Sequence, residues 1–183
     1  MNWAFQIKTI VSEIGMGELW SHRKSFNLTS YIPLIKQRLL DIYKQSWYSS
    51  INNSRRLHYY SKYKHEFELE TYLKHISNKI HKISFTRFRL SSHDLAIETG
   101  RYNSIELEDR KCNQCNMNTI ESEFHFLLIC PKYTDLRKKM LKPYYNRWPT
   151  LMKFEQIMST TNIKEIRNLA QYVYDAFKIR SNN

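Results

Sequence analysis

The sequence predicts a mainly α-helical fold, an irregular helical domain with a Cys-Cys-His-Cys zinc knuckle embedded in it, and three observations carry that expectation. Only three glycines and four prolines occur among 183 residues, too few for the Gly-rich turns that hairpins and sandwiches need. Apolar residues recur at helical spacing in segment after segment. All three cysteines fall between positions 112 and 130, together with His125.

The elements follow in order. Trp3, Ile7, Ile10, Val11 and Ile14 share one helical face within an amphipathic stretch from Met1 to Gly15, which Gly15 and Gly17 end. Thr29 or Ser30 caps a second helix with Pro33 in its first turn, where a missing N–H costs least, and Ile32, Ile35, Leu39 and Ile42 form its stripe. A third, longer helix begins near Phe67 and carries Leu69, Tyr72, Leu73, Ile76, Ile80 and Ile83 on one side. Its opposite face presents Lys74, Asn78, Lys82 and Arg89. Between Glu70 and Asp94 there is no acidic residue, so that face cannot neutralise itself by pairing along the helix. Arg87 falls on the apolar side, which predicts either a buried pair or a helix that ends before it.

From Gly100 to Thr119 the pattern breaks into a polar loop. Helical spacing returns from Ser122, and Pro131 opens a further helix, 132–144. Thr150 caps a short segment with Leu151, Phe154, Ile157 and Met158. Asn162 and Glu165 form a capping box for the last helix, whose face carries Ile163, Ile166, Leu169, Ala170, Val173 and Phe177. The chain thus divides into a basic helical region, 1–99, a zinc-binding module with its following helix, 100–144, and a C-terminal helical segment, 145–183, packed together as one unit.

Cys112, Cys115, His125 and Cys130 are spaced C-x2-C-x9-H-x4-C and use every cysteine in the chain. A CxxC turn offers two thiolates from one knuckle, and a His and a Cys beyond it complete the tetrahedron that Zn2+ requires. Positions five apart on an α-helix face different ways, but Pro131 disfavours the α conformation at Cys130, so the chain can turn there. Three thiolates and a neutral imidazole leave one negative charge around the ion, and Arg110 and Lys111 precede the first ligand. No ligand position stays open for water, so the zinc is structural and not catalytic.

A net charge of +12 and a pI near 9.6 give a field that attracts polyanions, nucleic acid above all. An odd number of clustered cysteines does not suit a secreted disulfide framework. No run approaches the roughly 20 apolar residues of a membrane span and no signal peptide is read, which predicts an intracellular, nuclear or cytoplasmic protein.

Around the zinc motif the chain resembles the C-terminal region of reverse transcriptases from non-LTR (LINE-type) retrotransposons, downstream of their polymerase domain. Phe85-Thr86-Arg87-Phe88-Arg89, Ser91-Ser92-His93, Ile97-Glu98, Gly100-Arg101-Tyr102 and Arg110 with the CxxC carry the resemblance. Ile120-Glu121, Glu123-Phe124-His125-Phe126-Leu127, Cys130-Pro131, Tyr133 and Leu136-Arg137 continue it. It implies a nucleic-acid-binding module that helps grip template RNA or target DNA. The polymerase signature is missing: there is no Tyr-x-Asp-Asp and no pair of adjacent aspartates to hold two Mg2+. The expectation is a protein that is not an enzyme, a remnant or C-terminal piece of such an element.

The segment 55–65 interleaves cations with aromatic rings, which suits single strands: cations hold phosphates and rings stack on bases. The candidate nucleic-acid contacts are Arg55, Arg56, Tyr60, Lys62, Tyr63, Lys64, Lys74, Lys82, Arg89, Arg110 and Lys111, and the expected partner is RNA or single-stranded DNA. A solvated linker whose tyrosines pack back on the core fits the same segment. A structural or protein-interaction remnant with no selected nucleic-acid target is therefore the alternative function. His93, Glu98 and Arg101 are better read as an ion-paired loop, with Glu98 on Arg101 or on Arg89, than as acid–base machinery.

Overall fold

The computed structural model describes residues 2–22, 24 and 27–181; of the expected first amphipathic stretch, Met1 lies outside them. The described residues are 67% helical, and their one β-type pairing is an isolated antiparallel bridge between Lys111 and Ile120. It divides into two compact units, Met1–Asn53 and Ser54–Asn183, so the breaks expected after 99 and 144 both fall inside the second.

The first unit holds α1 (Trp3–Glu13), α2 (Gly17–Ser21) and α3 (Leu28–Asn52). Asn2 caps α1, and Gly15 ends it in the left-handed conformation that glycine adopts without strain. Asn27 caps α3 by accepting from Thr29 N at 3.2 Å, earlier than the expected Thr29 or Ser30, which places Pro33 in the second turn. Arg38 Nε donates to Ile14 O at 3.3 Å and ties α3 to the end of α1. Of the expected apolar faces, Val11 and Ile14 are buried, whereas Trp3, Ile7, Ile10, Ile32, Leu39 and Ile42 are exposed; Ile51, outside the expected stripe, is buried as well.

In the second unit the short helices α4 (Tyr60–Tyr63) and α5 (Thr71–His75) precede α6 (Lys79–Arg89). The single long helix expected from Phe67 is therefore two. Ile76 is extended, and the Asn78 side chain accepts from Ile80 N and His81 N, starting a new helix in a new phase. The buried face becomes Phe85, Phe88 and Arg89 at i, i+3 and i+4, and Ile80 and Ile83 are left exposed. α6 continues through Arg87, which is exposed.

After α7 (Ala96–Tyr102) come a 3-10 turn (Leu107–Asp109), the bridged hairpin, a π-helical turn (His125–Ile129) and a second 3-10 turn (Pro131–Tyr133). The helix expected over 132–144 is split into α8 (Thr134–Met140) and α9 (Pro143–Asn146), because Pro143 cannot continue α8. α10 (Leu151–Met158) is capped by Thr150 as expected, through Lys153 N at 3.3 Å. α11 (Ile163–Ser181) has half of its capping box, Glu165 N donating to Asn162 Oδ1 at 3.1 Å. The Glu165 carboxylate instead takes Tyr145 OH and Lys142.

α11 packs along α6, α5 and α8. It buries Ile166, Leu169, Ala170 and Val173 as expected, with Tyr172 and Ala176 in addition, while Ile163 is exposed. The core beneath the π turn is aromatic. Phe126 stacks on Phe177 at 4.6 Å and meets Phe88 and Tyr133 at 5.6 and 4.9 Å between ring centres.

Candidate metal centre and arginine-lined cavity

The four expected ligands converge. Sγ of Cys112, Cys115 and Cys130 and a ring nitrogen of His125 lie within 4.8 Å of one another, an arrangement that can hold a metal ion. Two local structures bring them together. In the hairpin, Cys112 N donates to Thr119 O and Glu121 N to Arg110 O, both at 2.9 Å, and Asn118 makes the return in the left-handed backbone that Asn tolerates better than most residues. Beyond it, Ser122 Oγ accepts from His125 N and the chain closes a π turn, with Cys130 N donating to His125 O at 2.7 Å.

That turn answers the problem posed by positions five apart. At 3.6 residues per α-helical turn, His125 and Cys130 would point about 140° apart. An i→i+5 bond lays the fifth residue back over the first. Cys130 then leaves the helix in an extended conformation ahead of Pro131.

His125 Nε2 faces Cys115 Sγ at 3.5 Å, and Nδ1 lies 3.1 Å from Thr119 Oγ1. Nε2 is thus the nitrogen placed to ligate an ion, with Nδ1 toward the Thr119 hydroxyl, as outer hydrogen bonds orient ligating imidazoles. Burial pushes the Cys112 and Cys130 thiols up from their ordinary range. Burial, with the Arg137 charge adding to it, holds the His125 imidazole below its usual value. Without a metal, burial thus favours the uncharged forms of Cys112, Cys130 and His125.

Around the ligands the charges are not the ones expected. Lys111 is exposed, and Arg110 is turned away, donating to Ile105 O at 2.9 Å and Ile97 O at 3.2 Å. Its stem crosses Gly100, where a Cβ would meet Arg110 Cγ at 2.5 Å. The cations holding the ligand segment are Arg137 and Arg180. Arg137 is buried, donates to Leu128 O and Cys130 O, and has no carboxylate partner among the described residues. A bound divalent ion with three thiolates supplies the negative charge that this guanidinium lacks. Arg180 clasps the buried Glu121 carboxylate and reaches Asn113 between the first two cysteines. Glu121 also accepts from Ala96 N at 2.7 Å and lies 3.6 Å from Cys112 Sγ. No spacing rule in the sequence marks Thr119, Glu121, Arg137 or Arg180, because each is set by chain reversals far from it.

The expected nucleic-acid contacts separate into three groups: cavity-lining arginines, buried side chains and outlying lysines. Arg55, Arg56 and Arg110 line one cavity of about 650 Å3, together with Arg101, Tyr59, Ile120, Ser122, Glu98 and Glu123. Arg56 is anchored through Nε to Leu90 O and Ser91 O, whereas Arg55 is exposed and donates to nothing among the described residues. Glu98 pairs with Arg101 at 2.9 Å, the first of the two expected pairings. His93 Nε2 lies 3.1 Å from Glu123, between Phe88 and Phe177, so its ring is part of the core.

Tyr60, Tyr63 and Arg89 require correction, since all three are buried and none can offer a face to a base or a charge to a phosphate. The Arg89 guanidinium instead takes both Glu70 oxygens at 2.9 Å and donates to Met158 O. Four rings surround it, Tyr60, Tyr63, Tyr72 and Phe85, at 4.6 to 5.9 Å. The cation–aromatic pattern of 55–65 is thus partly an inward one, and burial pushes the Tyr63 phenol up. Lys62 and Lys74 are exposed, Lys64 reaches Glu68 O at 2.7 Å, and Lys82 donates to Leu73 O at 2.9 Å. No helix among the described residues is long and apolar enough to cross a membrane. No family model, curated protein or solved structure matches the chain.

Proposed function

We propose that this chain is a zinc-stapled nucleic-acid-binding module that grips the backbone of RNA or single-stranded DNA, the role implied by its resemblance to the post-polymerase region of non-LTR reverse transcriptases. Zinc is the ion that suits three thiolates and an imidazole in a closed, four-ligand set. The observation that carries the binding role is the gathering of Arg55, Arg56, Arg101 and Arg110 on one cavity against only two carboxylates, Glu98 and Glu123. Guanidinium groups held by backbone carbonyls lose little entropy when they meet phosphate. The residues resembling acid–base machinery are engaged elsewhere, His93 with Glu123 and Glu98 with Arg101, which favours binding over catalysis.

Strand affinity measured against salt tests this reading. The logarithm of affinity should fall with the logarithm of salt by roughly 0.7 per phosphate contacted on a single strand. Replacing Arg55 and Arg56 together with Ala should shallow that slope by about 1.4 and leave base preference unchanged, because phosphate contacts position a protein without reading sequence. If micromolar protein binds no strand at low salt, the nucleic-acid role is wrong. The reading as a protein-interaction remnant would then take its place, and the exposed Trp3, Phe5, Leu34 and Leu40 of α1 and α3 favour that reading.

A further inference from the structure

Resting on the nucleic-acid reading above, we infer that Trp148 is a base-stacking platform on which a nucleotide of the bound single strand lies. The indole is 82% exposed and makes no hydrogen bond or ring contact among the described residues, so it contributes nothing to the core. Its backbone is left-handed, with φ of 53°, a conformation that costs a bulky residue free energy. The following Pro149 pushes the preceding residue toward extended structure instead. Two local preferences are thus overridden at a side chain that packs on nothing.

The loop that holds it out is fixed from below. Lys153, in the first turn of α10, donates to Tyr144 O at 2.9 Å and to Arg147 O, and its ammonium sits 4.6 Å from the Tyr144 ring centre. Asn146 Nδ2 reaches Arg137 O at 3.5 Å, which ties the loop to α8. A rigid mount for an exposed ring is what stacking needs, since a preordered ring loses little freedom on binding.

Charge selects the occupant. From Leu136 to Phe154 there is no acidic residue and there are six cations, Arg137, Lys138, Lys139, Lys142, Arg147 and Lys153, of which Lys138, Lys139, Lys142 and Arg147 are exposed, Lys142 being paired with Glu165. An exposed ring in a cationic stretch of chain is the combination that holds a base and its phosphate without regard to sequence. A lipid surface is the weaker fit. Trp148, Leu151 and Met152 are the exposed apolar side chains of the loop and the first turn of α10, while Phe154, Ile157 and Met158 turn inward. Three side chains are a smaller wedge than a myristoyl chain, which by itself binds membranes only marginally.

Fluorescence anisotropy of the full chain with a labelled single strand, and with a strand of the same length lacking bases, tests the assignment. Trp148→Ala should weaken binding to the normal strand by roughly 5- to 150-fold with the salt slope unchanged. Trp148→Phe should recover most of that loss, and neither change should matter on the abasic strand. Trp148→Gly should bind as poorly as the Ala variant while raising Tm by about 2 to 4 °C, because glycine relieves the left-handed backbone. That rise separates lost stacking from lost folding. If wild-type protein binds strands and Trp148→Ala binds them equally well, or loses as much on the abasic strand, the platform is overturned and the arginine-cavity reading survives. If Trp148→Ala instead loses binding to vesicles containing anionic lipid and not to strands, the ring is a membrane contact. If wild-type protein binds no strand at all, the nucleic-acid reading itself fails.

Discussion

Removing the metal with a chelator, or replacing Cys130 with Ser, is expected to unfold the segment 101–133 and to loosen α11 and α6 with it, leaving α1 to α3 formed. A structural zinc in this centre would contribute on the order of 10 kcal/mol or more of binding free energy to folding, comparable with the whole stability of a small domain. The damage spreads because the π turn that carries His125 also carries Phe126, Leu127 and Leu128, all fully buried. Tyr172 OH on α11 donates to Phe126 O and Leu127 O at 3.3 and 3.2 Å. The first helices belong to a separate compact unit. Amide exchange should show protection lost over 101–133 and reduced in α11, with α3 unchanged. Unchanged exchange across 101–133 after chelation would remove the structural role.

Metal loading has a pH dependence whose sign follows from the same burial. The Cys112 and Cys130 thiols are raised in the metal-free protein, so they are protonated at neutral pH and must each release a proton when the ion binds. The lowered His125 imidazole is already neutral there and does not compete. Apparent affinity should therefore climb with pH, by about two decades or more per unit through neutrality, and fall in acid.

The second large effect is expected at the Glu70–Arg89 pair, and it is asymmetric. Arg89 is caged by four rings and its side chain is 4% exposed, whereas that of Glu70 is 18% exposed. Glu70→Ala strands a nearly buried guanidinium among four rings and should cost about 3 to 5 kcal/mol. Arg89→Met leaves a carboxylate that can turn outward, and a methionine fills the aromatic cage with soft contacts, so about 1 to 2 kcal/mol is expected. Urea unfolding of both variants measures the difference, and equal losses would contradict the cage. Tyr63→Ala belongs to this experiment and not to strand binding, since its hydroxyl holds Arg89 O at 3.0 Å inside the core.

Parts of this architecture were legible in the sequence for local reasons. The Cys-Cys-His-Cys set is marked by spacing, because a tetrahedron needs a knuckle and a return. Thr150 and Asn162 announce their helices by chemistry that acts within three residues. What was not legible depends on contacts across the chain. An unbroken apolar period through Ile76, Ile80 and Ile83 hides the restart at Asn78, since Asn at that position competes for backbone donors without disturbing the pattern. Arg89 occupies a core position because Glu70, far behind it in sequence, folds back to meet it. The tyrosines of 55–65 carry composition suited to stacking, but whether a ring faces in or out is decided by Phe154 and Arg89. Trp148 reads as one more aromatic in an irregular stretch until its backbone and exposure are known.

Native mass spectrometry of the purified chain, before and after treatment with an alkylating reagent, tests the central claim most directly. The account predicts one zinc ion per chain and cysteines that resist alkylation until the zinc is removed, because all three are ligands of the same ion. A folded, metal-free chain that takes up three alkyl groups at once would contradict it.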